Sequence, residues 1–467
     1  MRYVSTRGNS PAAGFKDVLL QGLAPDGGLY VPQAWPQIGA DELKALVGCP
    51  YTDVAFRVIQ PFVGSDIDQP SLKRMIAESY ASFDHHLVAP LVQLGPSDWL
   101  LELFHGPTLA FKDVALQLLG RLFGHVLAEI GNQLTIVGAT SGDTGSAAIE
   151  AIKGRPGMRI VILHPEGRVS DVQRRQMTTA REPNVTNIAV AGTFDDCQRI
   201  LKELFADKAF ASEIGLSGIN SINWARIMAQ AVYYVTASLA LGGPARKSAF
   251  VVPTGNFGDI YAGYVAAQMG LPIDRLVIAT NVNDILARTL ASGRYEIKGV
   301  TPTTSPSMDI EVSSNFERLV FETTGRDAAR TSALFASLRQ SGSFELPQAA
   351  RADIAKDFSA ERASEDEVSA AIARVYRNTR KLIDPHTAVG VVAAEKARRL
   401  GALGPATPAV ILATAHPAKF PDAVQAAAGV RPELPLRFRD LLTREERLER
   451  APADASAIKS LIRSRLR

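Results

Sequence analysis

Lys112 follows the apolar run Leu109-Ala110-Phe111 and opens a segment whose apolar residues at 115, 118, 119, 122, 123, 126, 127 and 130 recur at helical spacing, with Gly131 as the stop. Lysine is ordinarily a solvated surface residue. At a helix N-terminus, where positive charge is disfavoured, its pKa would fall toward the neutral amine that Schiff-base chemistry needs. A single lysine in such a setting is usually structural, so the case depends on its company.

Three strand-to-helix junctions supply that company. In Pro253-Thr254-Gly255-Asn256-Phe257-Gly258-Asp259, two glycines and a short polar residue before a helix would let successive N–H groups converge on a phosphate monoester. The run fits neither a P-loop nor the dinucleotide fingerprint, and alone it reads as a tight turn. In Ala139-Thr140-Ser141-Gly142-Asp143-Thr144-Gly145, hydroxyl and carboxyl groups exceed what one helix cap requires, which points to a small anion or an amino-acid carboxylate. Thr414 lies in the third junction, Ala413-Thr414-Ala415-His416-Pro417-Ala418-Lys419-Phe420, where the simplest reading is a capped loop with His416 and Lys419 on the surface. A fourth cluster, Asn220-Ser221-Ile222-Asn223-Trp224-Ala225-Arg226, opens a long helix with amides, a hydroxyl and an arginine, a second candidate phosphate site.

The elements that must position these groups alternate. Short apolar runs at 134–140, 159–163, 185–190, 248–252, 274–280 and 408–414 read as buried strands separated by helical patterns, which predicts α/β architecture with parallel sheets covered on both faces. Residues 1 to about 95 lack this rhythm and read as a mostly helical N-terminal domain, with helices near Phe15–Leu23, Asp41–Val47 and Ser71–Phe83. Residues 96–430 form the expected catalytic core. Residues 314–400 read as mostly helical, interrupted at Pro385. The charged stretch RDLLTREERLER falls in a C-terminal tail, 431–467, expected to be helical with a solvated face.

Length and composition suit a globular protein of about three domains: 467 residues, 46% hydrophobic and 21% charged. A net charge of +3 gives no reason to expect nucleic acid or membrane partners, so anion binding must come from local placement. Cys49 and Cys197 are the only cysteines, allow no disulfide framework and have no neighbours for a zinc site, so no metal is expected. The apolar stretch from Ile227 follows Arg226 and reads as a buried helix. With no signal-peptide pattern, the expected setting is cytoplasmic.

HGPTLAFKD, ATSGDTGSAA, NSINWARI, PTGNFGD and ATAHPAKF, in this order, together with the opening MRYVSTRG and FKDVLLQGLAPDGGLYVP, resemble the threonine synthase family of the longer bacterial and fungal type. The likeness runs from residue 1 to about 425. It implies a fold-type II pyridoxal-phosphate (PLP) enzyme, with two α/β subdomains and the cofactor in the cleft between them. By motif position, Lys112 would be the Schiff-base lysine. Gly255, Asn256, Phe257, Gly258 and Asp259 would cradle the cofactor phosphate, and Thr414 would bond the pyridine nitrogen. Ser141, Asp143 and Thr144 would face the substrate carboxylate; Asn220, Ser221 and Arg226 would hold the substrate phosphate. Asp143 stands where many fold-type II enzymes carry Asn, although the long threonine synthases also carry Asp.

The implied reaction is that of a lyase of threonine biosynthesis, converting O-phospho-L-homoserine and water to L-threonine and phosphate, with no obligate protein partner. Two other readings remain open at this point. One is a threonine synthase-like phospholyase, which stops after phosphate elimination. The other is a non-catalytic α/β protein that binds a phosphorylated ligand. A dehydratase would leave the Asn220–Arg226 cluster idle.

Overall fold

The strand Ser248–Pro253 is buried at every position, as a parallel strand covered on both faces must be. It lies within a six-stranded sheet whose order is Phe358–Arg362, Ile273–Thr280, Ser248–Pro253, Ala409–Ala413, Asp98–Glu102 and Leu91–Gln93. All neighbouring pairs are parallel except the last. The computed structural model describes residues 1–466. Its internal contacts divide them into two units, Met1–Gly106 with Ser221–Pro432, and Pro107–Asn220 with the described residues from Glu433 onward.

The first unit holds this sheet. On one side, Val251, Val277, Ala279 and Ile411 pack with Val389, Val392 and Ala393 of the helix Pro385–Arg399 and with Ile372 of Glu365–Thr379. The interruption expected around Pro385 is present, since the helix Glu365–Thr379 stops before it. Pro385 occupies the first turn of a new one, capped by Asp384, whose carboxylate accepts from the backbone N–H groups of His386 and Thr387. The N-terminal residues belong to this unit. Tyr3–Ser5 pairs antiparallel with Tyr30–Pro32, and the helices are Phe15–Gln21, Ala40–Ala45, Tyr51–Val63 and Gln69–Tyr80. Tyr3 and Phe62 pack edge-on against Trp224, at 5.9 and 5.5 Å between ring centroids. Asn223 Nδ2 donates to the Leu19 carbonyl at 2.8 Å.

The second unit is built on a five-stranded parallel sheet, ordered Glu449–Pro452, Val185–Ala191, Met158–Pro165, Leu134–Ala139 and Leu216–Ser217. Its core on one face joins Val137, Val161, Leu163, Ile188 and Val190 to Ile200 and Leu204 of the helix Phe194–Ala206 and to Ile458 and Ile462 of the terminal helix Ala455–Leu466.

The charged stretch before that helix departs from the expected solvated helix. It forms the short 3-10 turn Leu441–Thr443 and then the edge strand Glu449–Pro452. Glu446 accepts from Arg174 at 2.9 and 3.1 Å and from the Thr178 hydroxyl at 2.7 Å. Charges that look like solvent-facing decoration in the sequence are thus fixed by partners about 270 residues earlier. The apolar stretch from Ile227 lies in the buried helix Trp224–Ala240, and among the described residues no helix is long and apolar enough to cross a membrane.

Candidate active site

Lys112 is the first residue of the helix Lys112–Ile130 and is 7% exposed. The backbone before it is set by Leu109, which adopts φ 62°, a left-handed conformation costly for a branched side chain and held only by surrounding contacts. Asp113 supplies one of them: its carboxylate accepts from the Thr108 N–H at 2.7 Å and from the Thr108 hydroxyl at 2.6 Å. The amine of Lys112 lies over the Phe111 ring, 4.7 Å from its centroid, and 3.7 Å from Asp143 Oδ2. The helix N-terminus disfavours the ammonium, whereas Asp143 favours it. Sequence reasoning captured only the first influence.

Asp143 begins the helix Asp143–Ile152, directly after the strand Leu134–Ala139. Its other oxygen, Oδ1, accepts from Gln173 Nε2 at 2.8 Å. Gly142 sits at φ 152°, and a Cβ there would collide with the Gln173 amide. Thr140 shapes the same turn, its hydroxyl oxygen accepting from the N–H groups of Gly142 and Gly145, each at 3.0 Å. Ser141 and Thr144 remain half-buried at the start of the helix. Neither Asp113 nor Gln173 was among the expected site residues. An acid in the first turn of a helix is a readable signal for Asp113, whereas nothing local marks Gln173, which is 30 residues from its partner.

In the first unit, Pro253 ends its strand and the helix Gly258–Gln268 begins five residues later. Between them Phe257 takes φ 64° and buries its ring. A Cβ on Gly255 would lie 2.6 Å from the Ser307 carbonyl oxygen, so no larger residue fits there without moving backbone. A positive-φ residue leading into a helix start exposes consecutive N–H groups, the geometry that suits a phosphate monoester and hence the PLP phosphate. Asp259 is a different case from Gly255–Gly258. Its carboxylate accepts from Tyr233 and, at 3.0 Å, from Tyr234, and so packs the turn onto the helix Trp224–Ala240.

Arg226, in the first turn of that helix, is 5% exposed. Burial pulls its pKa down to about 10, with Tyr233 as the one opposing influence. Its Nε has no hydrogen-bond partner among the described residues. A buried guanidinium left in this state is costly unless an anion completes it. Ser221 is half-buried and Asn220 exposed.

Thr414 is buried directly after the strand Ala409–Ala413. The surface placement expected for its neighbours is wrong. Lys419 is 0% exposed, and His416 is mostly buried, its pKa lowered to about 4 chiefly by burial and next by His105. His416 Nδ1 accepts from the Ala418 N–H at 3.2 Å, capping the 3-10 turn Pro417–Lys419. The turn draws both side chains inward, where a solvated loop would have released them.

Residues 2–80 match the threonine synthase N terminus family, 84–415 the pyridoxal-phosphate dependent enzyme family, and 387–462 the threonine synthase C-terminal family. A threonine synthase of Pseudomonas aeruginosa is 51% identical over 99% of this chain and 98% of its own. A crystal structure of PLP-bound threonine synthase from Brucella melitensis superposes with TM-score 0.97 at 54% identity, covering 100% of both chains. The yeast threonine synthase structure gives TM-score 0.95 at 41% identity, over 100% of this chain and 98% of that one. The chain therefore belongs to the threonine synthase family, fold-type II lyases that depend on pyridoxal phosphate.

Proposed function

We propose that this chain converts O-phospho-L-homoserine and water to L-threonine and inorganic phosphate. The observation that carries the reading is Arg226: a buried guanidinium, separate from the Gly255–Gly258 turn, whose Nε awaits a partner. A dehydratase acting on an unphosphorylated amino acid would have no use for it. Bound PLP supplies an electron sink for negative charge developing at the substrate Cα.

The residues of the chain do the rest. Lys112 would carry the cofactor and, once released from it, take the proton from Cα and later return one there. The N–H groups of Gly255–Gly258 would hold the cofactor phosphate, with Thr414 as a neutral partner for the ring nitrogen, a hydroxyl that forces no proton onto it. Ser141, Thr144 and the start of the Asp143–Ile152 helix would take the substrate carboxylate. Arg226, with Ser221 and Asn220, would hold the phosphate at the γ-carbon and keep it in place after release. Overall, a proton leaves Cβ, the C–O bond to phosphate breaks at Cγ, Cγ gains a proton, and water adds its oxygen at Cβ.

Incubation with O-phospho-L-homoserine and direct amino-acid analysis tests this. Threonine and phosphate in equal amounts are expected. Phosphate with a 2-oxo acid and ammonia would make the protein a phospholyase, and no phosphate release would reject the substrate.

A further inference from the structure

The three residues Ser313-Ser314-Asn315 grip the back of the Gly255–Gly258 turn. The Ser313 hydroxyl donates to the Gly255 carbonyl at 2.6 Å, and the Ser314 hydroxyl to Asn256 Oδ1 at 3.2 Å. The Asn256 carbonyl accepts twice from Asn315, from its backbone N–H at 3.0 Å and from Nδ2 at 2.9 Å. In a planar trans peptide the N–H of the next residue points opposite to the carbonyl. Fixing the carbonyls of Gly255 and Asn256 on one side therefore aims the N–H groups of Asn256 and Phe257 to the other, the side a phosphate would occupy.

Asn315 reaches further. Its Nδ2 also donates to the Ser221 carbonyl at 3.2 Å, so one amide touches both the cofactor-phosphate turn and the loop that leads to Arg226. The two segments and Asn315 converge at Gly258, where a Cβ would meet Asn315 Nδ2 at 3.3 Å, the Ser221 carbonyl oxygen at 3.5 Å and Ile227 Cδ1 at 3.6 Å. Asn315 Oδ1 in turn accepts from Arg318, which also donates to the carbonyls of Ile222 at 2.6 Å and Tyr30 at 2.9 Å. Ser313, Asn315 and Arg318 are each 0% exposed, so water does not compete for these bonds.

We propose that Asn315, oriented by Arg318, is a positioning residue that locks the Gly255–Gly258 turn to the Ser221–Arg226 loop, so that the subsites for the cofactor phosphate and the substrate phosphate form as one piece. The inference rests on the proposed function and adds a coupling to it. Ser313 serves the cofactor turn alone.

Asn315→Asp tests it with little change of volume. The aspartate keeps an oxygen for Arg318 and gains its charge, but loses both donated bonds. Three quantities decide the outcome: the PLP Kd of the apoenzyme by fluorescence titration, and the KM and kcat for O-phospho-L-homoserine at saturating PLP. In Asn315→Asp, PLP Kd and KM both rise about tenfold, the scale of losing a buried donor and setting a carboxylate oxygen against the carbonyls of Asn256 and Ser221, while kcat stays within about threefold. In Ser313→Ala, only PLP Kd rises. Either constant unchanged in folded Asn315→Asp overturns the proposal. Should that variant fail to fold, a Ser313→Ala enzyme with unaltered PLP Kd, or with KM raised as much as Kd, overturns it. Wild-type protein that binds no PLP or releases no phosphate instead rejects the proposed function.

Discussion

The amine of Lys112 stands 3.7 Å from one oxygen of Asp143, and Gln173 holds the other at 2.8 Å. Asp143 is therefore aimed at the lysine by a residue on a separate helix, Asp171–Thr178. Asp143→Asn keeps an acceptor for Gln173 and removes the negative charge beside the amine. PLP binding is expected to persist, and kcat to fall at least about tenfold, because the charge that organises the proton-transferring amine is gone. Kinetics at saturating PLP check this; an unchanged kcat would leave Asp143 only a structural part.

Arg226 sets stability against function. Arg226→Met removes a charge that burial already pushes toward neutrality, so the folded apoenzyme should gain about 1–3 kcal/mol in urea unfolding. The same change should raise KM for O-phospho-L-homoserine about 100-fold, within the range for losing one partner of a buried charge pair. A variant that is less stable and has native KM would remove Arg226 from the phosphate site.

Gly255→Ala places a methyl group 2.6 Å from the Ser307 carbonyl oxygen. Backbone must shift, at a cost of about 1–3 kcal/mol, and the turn that holds the PLP phosphate shifts with it. A PLP Kd raised at least about tenfold is expected, read by equilibrium dialysis. Native affinity would mean that the turn does not hold the cofactor.

His164 should be one source of acid lability, beside His416, whose pKa is lowered as far. The His164 ring is 2% exposed with no hydrogen bond to either nitrogen among the described residues, and its pKa is lowered to about 4, first by burial and next by Arg174. The folded protein thus holds it neutral, whereas the unfolded chain takes up a proton near pH 6.5. Above that pH the group has no effect. The contribution of this group to stability falls as pH drops from about 6.5 toward 4, by up to about 3 kcal/mol. His164→Phe should flatten the decline over that window in urea unfolding; an unchanged slope would exclude the residue as its source.

How legible all this was depends on the range of the interactions. Six strands of the two sheets announced themselves because parallel strands buried on both faces leave unbroken apolar runs, and the glycine turn lies at one of their helix junctions, whereas the strand Asp98–Glu102 that precedes the Lys112 helix was not read. The edge strands Leu91–Gln93, Phe358–Arg362 and Glu449–Pro452 carry no such run, being half-solvated at the margins of their sheets. The helix Tyr51–Val63 was hidden by Pro61 near its end, although its buried residues at 51, 54, 55, 58, 59, 62 and 63 follow helical spacing. Of the site, the residues on junctions could be read locally. Gln173 and Asn315 act on partners 30 to 94 residues away, and only the folded chain brings them there.

The most direct test of the central claim is to reduce the PLP-loaded enzyme with borohydride, digest it and locate the cofactor by mass spectrometry. A single phosphopyridoxyl adduct on Lys112 is the predicted result. An adduct on another lysine, or none, would contradict the account.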